Sequence, residues 1–383
     1  MFKYEDDLLK HYVRLEGWLP ACKRRQRFVR SAASKPKSLR RLRYFTFCAV
    51  GAVDVLMLDV EKVIRVSSDG RFDTVAFFDK DPESVAETLK RIPGANGFPG
   101  DFTTIVLMED PDEETVLADS QVLEARREEL DEYLTRRRQL RLGQRRDFIR
   151  LFPFDVINLD LEEFLFKPND PLPGRVINSL RKVFEWQRRP VSTVPRQSTQ
   201  SLSGFSLMFT TQIGPPNIGE DYLRELQECL ESNLADDTTL GEALAARTGY
   251  GDVAALQQGN FDSFFELSVP KTIAAVLEEE DWHVDPERGI TIFEFERPWK
   301  QGTYKMLHLV MDVTRNSPPR EKRAPGRRCR QARLAYRSVV RQLFSDQVDL
   351  VTPEALDENF LRASLELIKA RRREYYSEEE DNA

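Results

Sequence analysis

Residues 44–81 constrain the fold of this chain more than any other stretch. They begin with an aromatic, β-rich run at residues 44–48 that is typical of a buried strand. After a turn of small residues, apolar positions recur at helical spacing across residues 53–64. A second apolar run ends at Asp79, and Asp81-Pro82 is a typical helix start. This order predicts the first half of a nucleotide-binding α/β unit, with the nucleoside at the strand ends.

The rest of the chain predicts a mostly parallel sheet that closes with a hairpin. Apolar runs at residues 102–108, 156–159 and 205–213 predict further strands, with helical segments between them. Two β-rich runs at residues 290–297 and 304–315 are so close that they predict an antiparallel hairpin. The predicted fold class is therefore α/β, with a Rossmann-like sheet, a terminal antiparallel hairpin and helical insertions.

Shifts in charge and hydrophobicity divide the chain into three parts. Residues 1–43 predict a short helix that ends near Pro20, followed by a basic arm. Residues 44–315 form the main domain, with a charged helical insert at 112–147 and a helical segment at 219–289. Residues 316–383 predict a basic and helical extension with an acidic tail.

The net charge of −7 hides a strongly basic stretch between Cys22 and Tyr44, which contains no Asp or Glu. Clustered Lys and Arg side chains can contact phosphates and release counterions from a nucleic acid. A solvated connector is the alternative interpretation of the same pattern. The candidate nucleic-acid-binding residues are Lys23, Arg24, Arg25, Arg27, Arg40 and Arg41.

Several classes of protein and site are not expected. The four cysteines are far apart and there are only three histidines, so we expect no metal site and no histidine-based triad. No apolar run reaches the length of about 18 residues that spans a membrane, and the charged N-terminus is unlike a signal peptide. These features predict a cytoplasmic protein without a membrane partner. The sequence also has no P-loop and no Gly-x-Ser-x-Gly elbow, which disfavours another kind of nucleotide binder or a hydrolase.

The order of elements over about residues 40–315 resembles the class I S-adenosylmethionine-dependent methyltransferases. The sheet of that family is mostly parallel and ends in a similar hairpin. The resemblance implies S-adenosylmethionine as cofactor and places the cofactor loop at Cys48, Gly51 and Asp54. It further implies that Asp79 binds the ribose hydroxyls and that Asp101 lies near the adenine.

The resemblance also implies catalytic residues and partners. The fourth strand of the family ends in a catalytic motif, which falls on Asn158 and Asp160 and is similar to the Asp-Leu-Asp pattern of some tRNA guanine-amine methyltransferases. The chain also resembles methyltransferase-like partner proteins found beside bacterial defence and restriction genes. DNA or tRNA is then the expected substrate, and a protein complex the expected setting. Because Gly51 stands alone where the family commonly has two or three glycines, a catalytically inactive subunit is the alternative.

Overall fold

The computed structural model describes residues 7–31, 41–48, 51–64, 66–108, 127–161, 165, 174–189, 203–213, 220–236, 238–285, 290–299, 302–315, 348–351 and 356–380. Within these ranges nine strands form one mixed sheet with helices on both faces. The strands are β1 (Tyr44–Phe47), β2 (Val75–Asp79), β3 (Asn96–Pro99), β4 (Val156–Asp160), β5 (Gly204–Ile213), β6 (Trp282–Val284), β7 (Ile290–Trp299), β8 (Gly302–Arg315) and β9 (Val348–Val351). The predicted α/β class is confirmed.

The strand order is β3-β2-β1-β4-β5-β8-β7-β9, and β6 pairs with the end of β8. The first five strands are parallel to one another. Strand β8 then runs antiparallel to both β5 and β7, which confirms the predicted hairpin. The order places β1 and β4 side by side, while the chain between them builds the sheet outward through β2 and β3. Their carboxyl ends therefore form a topological switch point, where open α/β sheets bind ligands.

Helices surround this sheet. The N-terminal helix consists of α1 (Leu8–Val13), a π-helical turn (Arg14–Trp18) and α2 (Leu19–Ser31). The other helices are α3 (Val53–Val60), α4 (Pro82–Arg91), α5 (Phe102–Leu107), α6 (Arg127–Arg150), α7 (Arg175–Gln187), α8 (Glu220–Asp236), α9 (Thr238–Thr248), α10 (Val253–Gly259), α11 (Phe261–Glu279) and α12 (Glu358–Glu380).

Each face of the sheet has its own core, because side chains alternate along the strands. On one face, Phe148 of α6 packs against Phe45 and Phe78 of the sheet, with ring centroids 4.9 and 4.8 Å apart. The opposite face packs against the N-terminal helix and α3. That second face is unusual because many of its buried strand residues are polar: Thr46, Asn158, Ser206, Thr210, His308 and Asp312.

The N-terminal helix does not end near Pro20 as predicted but continues to Ser31. Proline has no N–H, and its ring collides with the carbonyl four residues earlier in a regular α-helix. Here the helix widens just before Pro20, and the N–H of Leu19 donates to the carbonyl of Arg14, five residues back. Gly17 in the same turn lets the helix approach the sheet closely, since a Cβ there would lie 2.8 Å from the Phe293 ring.

The strand predicted at residues 102–108 is also wrong, because this segment is helix α5. The third strand comes earlier, at β3. Asp101 starts the helix by accepting a hydrogen bond from the backbone N–H of Thr104 at 2.8 Å. The charged insert predicted at 112–147 is described from Arg127 onward, where it is helix α6. The rest of that insert and the basic segment at 316–347 lie outside the described residues.

Candidate functional site

The candidate site lies at the carboxyl ends of β1, β2, β3 and β4. Strand β2 ends at the partly exposed Asp79, whose Oδ1 accepts a hydrogen bond from the N–H of Asp81 at 2.9 Å. The carbonyl of Asp79 accepts a second bond from the N–H of Gly100 at 2.8 Å. Gly100 has φ +128°, a conformation that favours glycine, and it turns the chain so that Asp101 follows at the same edge. The structure therefore brings Asp79 and Asp101 together.

The Asp101 side chain connects two helices. Its Oδ1 accepts hydrogen bonds from the Thr103 hydroxyl at 2.6 Å and the Thr104 hydroxyl at 2.9 Å, and it forms an ion pair with Arg175 of α7. Burial alone would raise the pKa of Asp101, but these hydrogen bonds and the Arg175 charge lower it to about 2. Asp101 is therefore an ionised helix cap, and its role near an adenine remains a prediction.

The first loop residues surround the start of α3. Asp54, in the first turn of that helix, is buried and accepts hydrogen bonds from the Tyr44 hydroxyl at 3.0 Å and the Thr46 hydroxyl at 2.7 Å. The Cys48 Sγ lies 3.7 Å from Asp54 Oδ1. Burial, reinforced by the Asp54 charge, raises the pKa values of Cys48 and Tyr44, so both side chains stay protonated donors. Asp54 thus holds α3 against β1.

The described residues between β1 and α3, Cys48, Gly51 and Ala52, are all buried. Gly51 lies in a turn. The next residue, Ala52, takes a left-handed conformation with φ +48° directly before the helix. A non-glycine residue therefore takes the left-handed conformation, with its strain, directly before the helix.

Asn158 belongs to the same buried network as Asp54. It is fully buried in β4 and its Nδ2 donates to the Tyr44 hydroxyl at 3.0 Å. No donor among the described residues reaches its Oδ1. Asn158 lies two residues before the end of β4 and faces the N-terminal helix, so its side chain is inside the core and not at the carboxyl edge of the sheet. The catalytic role predicted for it remains untested.

Asp160 ends β4 at the switch point and forms an ion pair with Lys10 of α1. Each of the two side chains is only 10% exposed. The sequence offered no signal for this pair, because the two residues belong to elements that are far apart along the chain. Lys10 therefore brings a positive charge from the N-terminal helix to the predicted catalytic carboxylate.

A buried histidine lies on the same face of the sheet. The Trp18 indole N–H donates to His308 Nε2 at 2.6 Å, and Nδ1 lies 2.7 Å from the Thr210 hydroxyl. Because indole can only donate, Nε2 must be the acceptor, and Nδ1 carries the proton that is donated to Thr210. Burial lowers the pKa of His308 to about 3, so the ring is neutral. Its two ring nitrogens are both used within the fold.

Most of the candidate nucleic-acid-binding residues contact acidic residues of the same chain. Lys23 pairs with Glu61 at 2.6 Å and Arg24 with Asp312 at 3.1 Å. The other two pairs are Arg25 with Asp155 at 3.9 Å and Arg41 with Asp73 at 2.8 Å. Arg27 is exposed, and Arg40 lies outside the described residues. Much of the basic segment is helix α2, and its charges largely hold that helix on the sheet.

Two searches within the described part of the chain bear on the class of site. No group of three or more His, Cys, Asp or Glu side chains there could hold a metal ion. No helix in the same ranges combines the length and the apolar character needed to cross a bilayer. In comparisons with known proteins, no family model, curated protein or solved structure matches the chain.

Proposed function

We propose that this chain is a methyltransferase-like protein that binds S-adenosylmethionine at the carboxyl ends of β1, β2 and β3. The observation that carries the proposal is the arrangement of the sheet. Five parallel strands have their switch point between β1 and β4, and they are followed by a hairpin whose second strand, β8, inserts antiparallel beside β5. A mostly parallel sheet that ends in a hairpin is what the resemblance to class I methyltransferases implies.

The side chains at this edge fit a nucleoside. A ribose presents two neighbouring hydroxyl donors, and the partly exposed carboxylate of Asp79 is a suitable acceptor at the end of β2. The buried turn at Cys48 and Gly51 would pass beside the cofactor, and Asp101 would lie beyond the ribose. Asp54 would act indirectly by fixing α3. When bound, the cofactor supplies an electrophilic methyl group, so the protein mainly has to align the nucleophile.

A nucleic acid remains the proposed substrate. Arg27 of α2 is exposed, and α6 carries three consecutive exposed arginines, Arg136, Arg137 and Arg138. Exposed guanidinium groups of this kind can contact phosphates. DNA and tRNA are both proposed partners.

A second candidate function is a non-catalytic subunit that keeps the fold within a larger complex, such as a bacterial defence or modification assembly. Two observations favour it. Asn158 is fully buried and donates to Tyr44, while Asp160 is paired with Lys10. A base or proton acceptor for methyl transfer must reach its substrate, so these contacts would have to open during catalysis.

Transfer of a labelled methyl group tests the two candidates against each other. Purified protein is incubated with S-adenosylmethionine carrying a tritiated methyl group and with total tRNA or genomic DNA. The active enzyme should label one of the two, and both Asp79→Ala and Asp160→Asn should abolish labelling. Binding of the cofactor without labelling of either nucleic acid would favour the non-catalytic subunit.

A further inference from the structure

The side of the N-terminal helix that faces the sheet carries a row of three residues, Lys10, Arg14 and Trp18. Residues four apart in a helix lie on one side, so these side chains follow one another along the sheet. The first pairs with Asp160 at the end of β4, and the last donates to His308 in the middle of β8. Arg14 therefore lies between them, near the carboxyl ends of the central strands.

Arg14 is buried and forms no ion pair with an acidic residue in the described ranges. The whole residue is only 7% exposed, and neither Nε nor Nη1 has a hydrogen-bond partner in the part of the chain that the structure describes. Its guanidinium lies over the Trp18 ring, 5.6 Å from the ring centroid. A guanidinium cannot lose its proton in a protein, so it cannot escape the penalty of burial by becoming neutral. Cation–π contact with one indole does not satisfy its N–H donors.

The Arg14 charge affects the pKa values of two other groups, Cys48 and His11. The Cys48 thiol, at the end of β1, has a pKa that burial and the charges of Asp54 and Asp79 raise, and Arg14 opposes that shift. His11 has a pKa of about 3, which burial lowers first and the Arg14 charge lowers further. The Arg14 charge thus acts on a group at the end of β1, the strand that pairs with the one ended by Asp79.

Arg14 also begins the π-helical turn that ends at Trp18. Such turns are rare and are frequent at functional sites. The turn here accommodates Pro20, and Arg14 is its first residue.

We infer that Arg14 binds an oxyanion of the ligand held at this edge. Two sources share that chemistry: the carboxylate of an amino-acid-bearing nucleoside such as S-adenosylmethionine, and the phosphate of a nucleotide. Binding of the carboxylate of S-adenosylmethionine rests on the proposed function, whereas binding of a nucleotide phosphate would replace that function with another. In both cases a charge-assisted hydrogen bond satisfies donors that the fold itself leaves unpaired.

Calorimetric titration with four small molecules tests this inference. S-adenosylhomocysteine carries a carboxylate and 5′-methylthioadenosine lacks it, while AMP carries a phosphate and adenosine lacks it. Each is titrated into wild type, Arg14→Met and Arg30→Met, the last being a matched loss of an exposed arginine on the same N-terminal helix. We expect Arg14→Met to weaken one oxyanion-bearing ligand at least about tenfold, which equals the loss of one charge-assisted hydrogen bond, and to leave its oxyanion-free analogue unchanged.

The thermal midpoint of the ligand-free variants gives a second readout. Because Arg14→Met removes a buried unpaired charge and keeps an apolar stem, its midpoint should equal or exceed that of wild type. A purely structural arginine would instead give a lower midpoint and no selective loss for oxyanion-bearing ligands.

The possible results distinguish failure of the inference about Arg14 from failure of the proposed function. Selective loss of S-adenosylhomocysteine binding in Arg14→Met supports both. Selective loss of AMP binding, with no binding of S-adenosylhomocysteine to wild type, supports the inference and overturns the proposed function. Equal binding of S-adenosylhomocysteine to wild type and Arg14→Met keeps the proposed function and overturns the inference. Absence of any binding at millimolar ligand overturns both.

Discussion

Replacing Trp18 by Phe should destabilise the fold mainly through His308. The indole N–H is the donor to His308 Nε2 at 2.6 Å, and the imidazole is fully buried. Phe keeps most of the apolar ring but removes the donor. The lone pair of a neutral buried imidazole then has no partner, because the pKa of about 3 keeps the ring from taking up a proton near neutral pH.

The expected loss has two parts. Leaving a buried acceptor unsatisfied costs about 1–3 kcal/mol. The smaller ring costs roughly 1 kcal/mol more in buried apolar area. The matched control is Trp186→Phe, because Trp186 and Trp18 are both 3% exposed and Trp186 packs against Phe148 and Phe152 instead of a histidine. Only the second part applies to the control, so the two variants should differ by about 1–3 kcal/mol.

Urea unfolding at pH 7.5, followed by far-UV circular dichroism, measures both variants. A double-mutant cycle with His308→Leu isolates the hydrogen bond, and a coupling energy of about 1–3 kcal/mol is expected between the two residues. Equal losses for Trp18→Phe and Trp186→Phe, together with a coupling energy near zero, would refute the role of the Trp18–His308 bond.

Three further predictions concern pH and charge. The pKa values of His11 and His308 are both lowered to about 3 in the fold, so the unfolded chain binds protons that the folded chain does not, and stability should fall below pH 6.5 by about 2 kcal/mol per histidine at pH 5. The raised pKa of Glu266 acts in the opposite direction over this range, so the test is made in Glu266→Gln, where a flat profile in urea unfolding between pH 5 and 7 would contradict the prediction. Burial and the neighbouring Glu294 raise the pKa of Glu266 to about 8, so stability should be lost as pH rises from about 5 through 8. Glu266→Gln should therefore unfold at a higher urea concentration than wild type at pH 8.5 but not at pH 5. Equal urea midpoints of the two proteins at pH 8.5 would count against the raised pKa of Glu266. Removing the exposed charge in Arg27→Ala should weaken tRNA or DNA binding and lower the slope of log affinity against log salt by about 1, whereas an unchanged slope would remove Arg27 from the interface.

Local patterns were sufficient to predict much of the sheet. The strands β1, β2, β4 and β5 were each predicted from a short apolar run, and the runs of β2 and β4 end in Asp79 and Asp160. The hairpin of β7 and β8 was predicted from the short spacing of two β-rich runs. Apolar runs without a clear period are ambiguous, and residues 102–108 were predicted as a strand for that reason. The cap at Asp101, with Thr103 and Thr104 behind it, is the signal that favours a helix there.

The N-terminal helix shows why the rest could not be predicted. Proline normally ends or kinks a helix, and the sequence does not announce the π-helical turn that absorbs Pro20. The contacts that hold this helix on the sheet join Trp18 to a residue 290 positions away. Such pairs depend on the assembled fold, so the basic segment resembled a free arm although Lys23, Arg24 and Arg25 have acidic partners.

The same limit applies to the candidate site. A carboxylate at the end of a strand, such as Asp79, was predictable because position along one strand is a local property. Asp54 and Asn158 were named as site residues from the family resemblance, but their surroundings are set by Tyr44 and Thr46 of β1. Arg14 was missed because the sequence gives no sign that a helical arginine would be buried without a partner.

Calorimetric titration of S-adenosylhomocysteine into wild type, Asp79→Ala and Glu83→Ala tests cofactor binding at the strand ends most directly. Glu83 is an exposed acidic residue of α4 near Asp79, so its variant controls for the loss of one negative charge. We predict micromolar binding by wild type and Glu83→Ala, and at least about tenfold weaker binding by Asp79→Ala, because hydrogen bonds to a charged acceptor contribute about 1.5–3 kcal/mol each. No heat of binding to wild type at millimolar ligand, or equal affinity in all three proteins, would contradict a nucleoside site at Asp79.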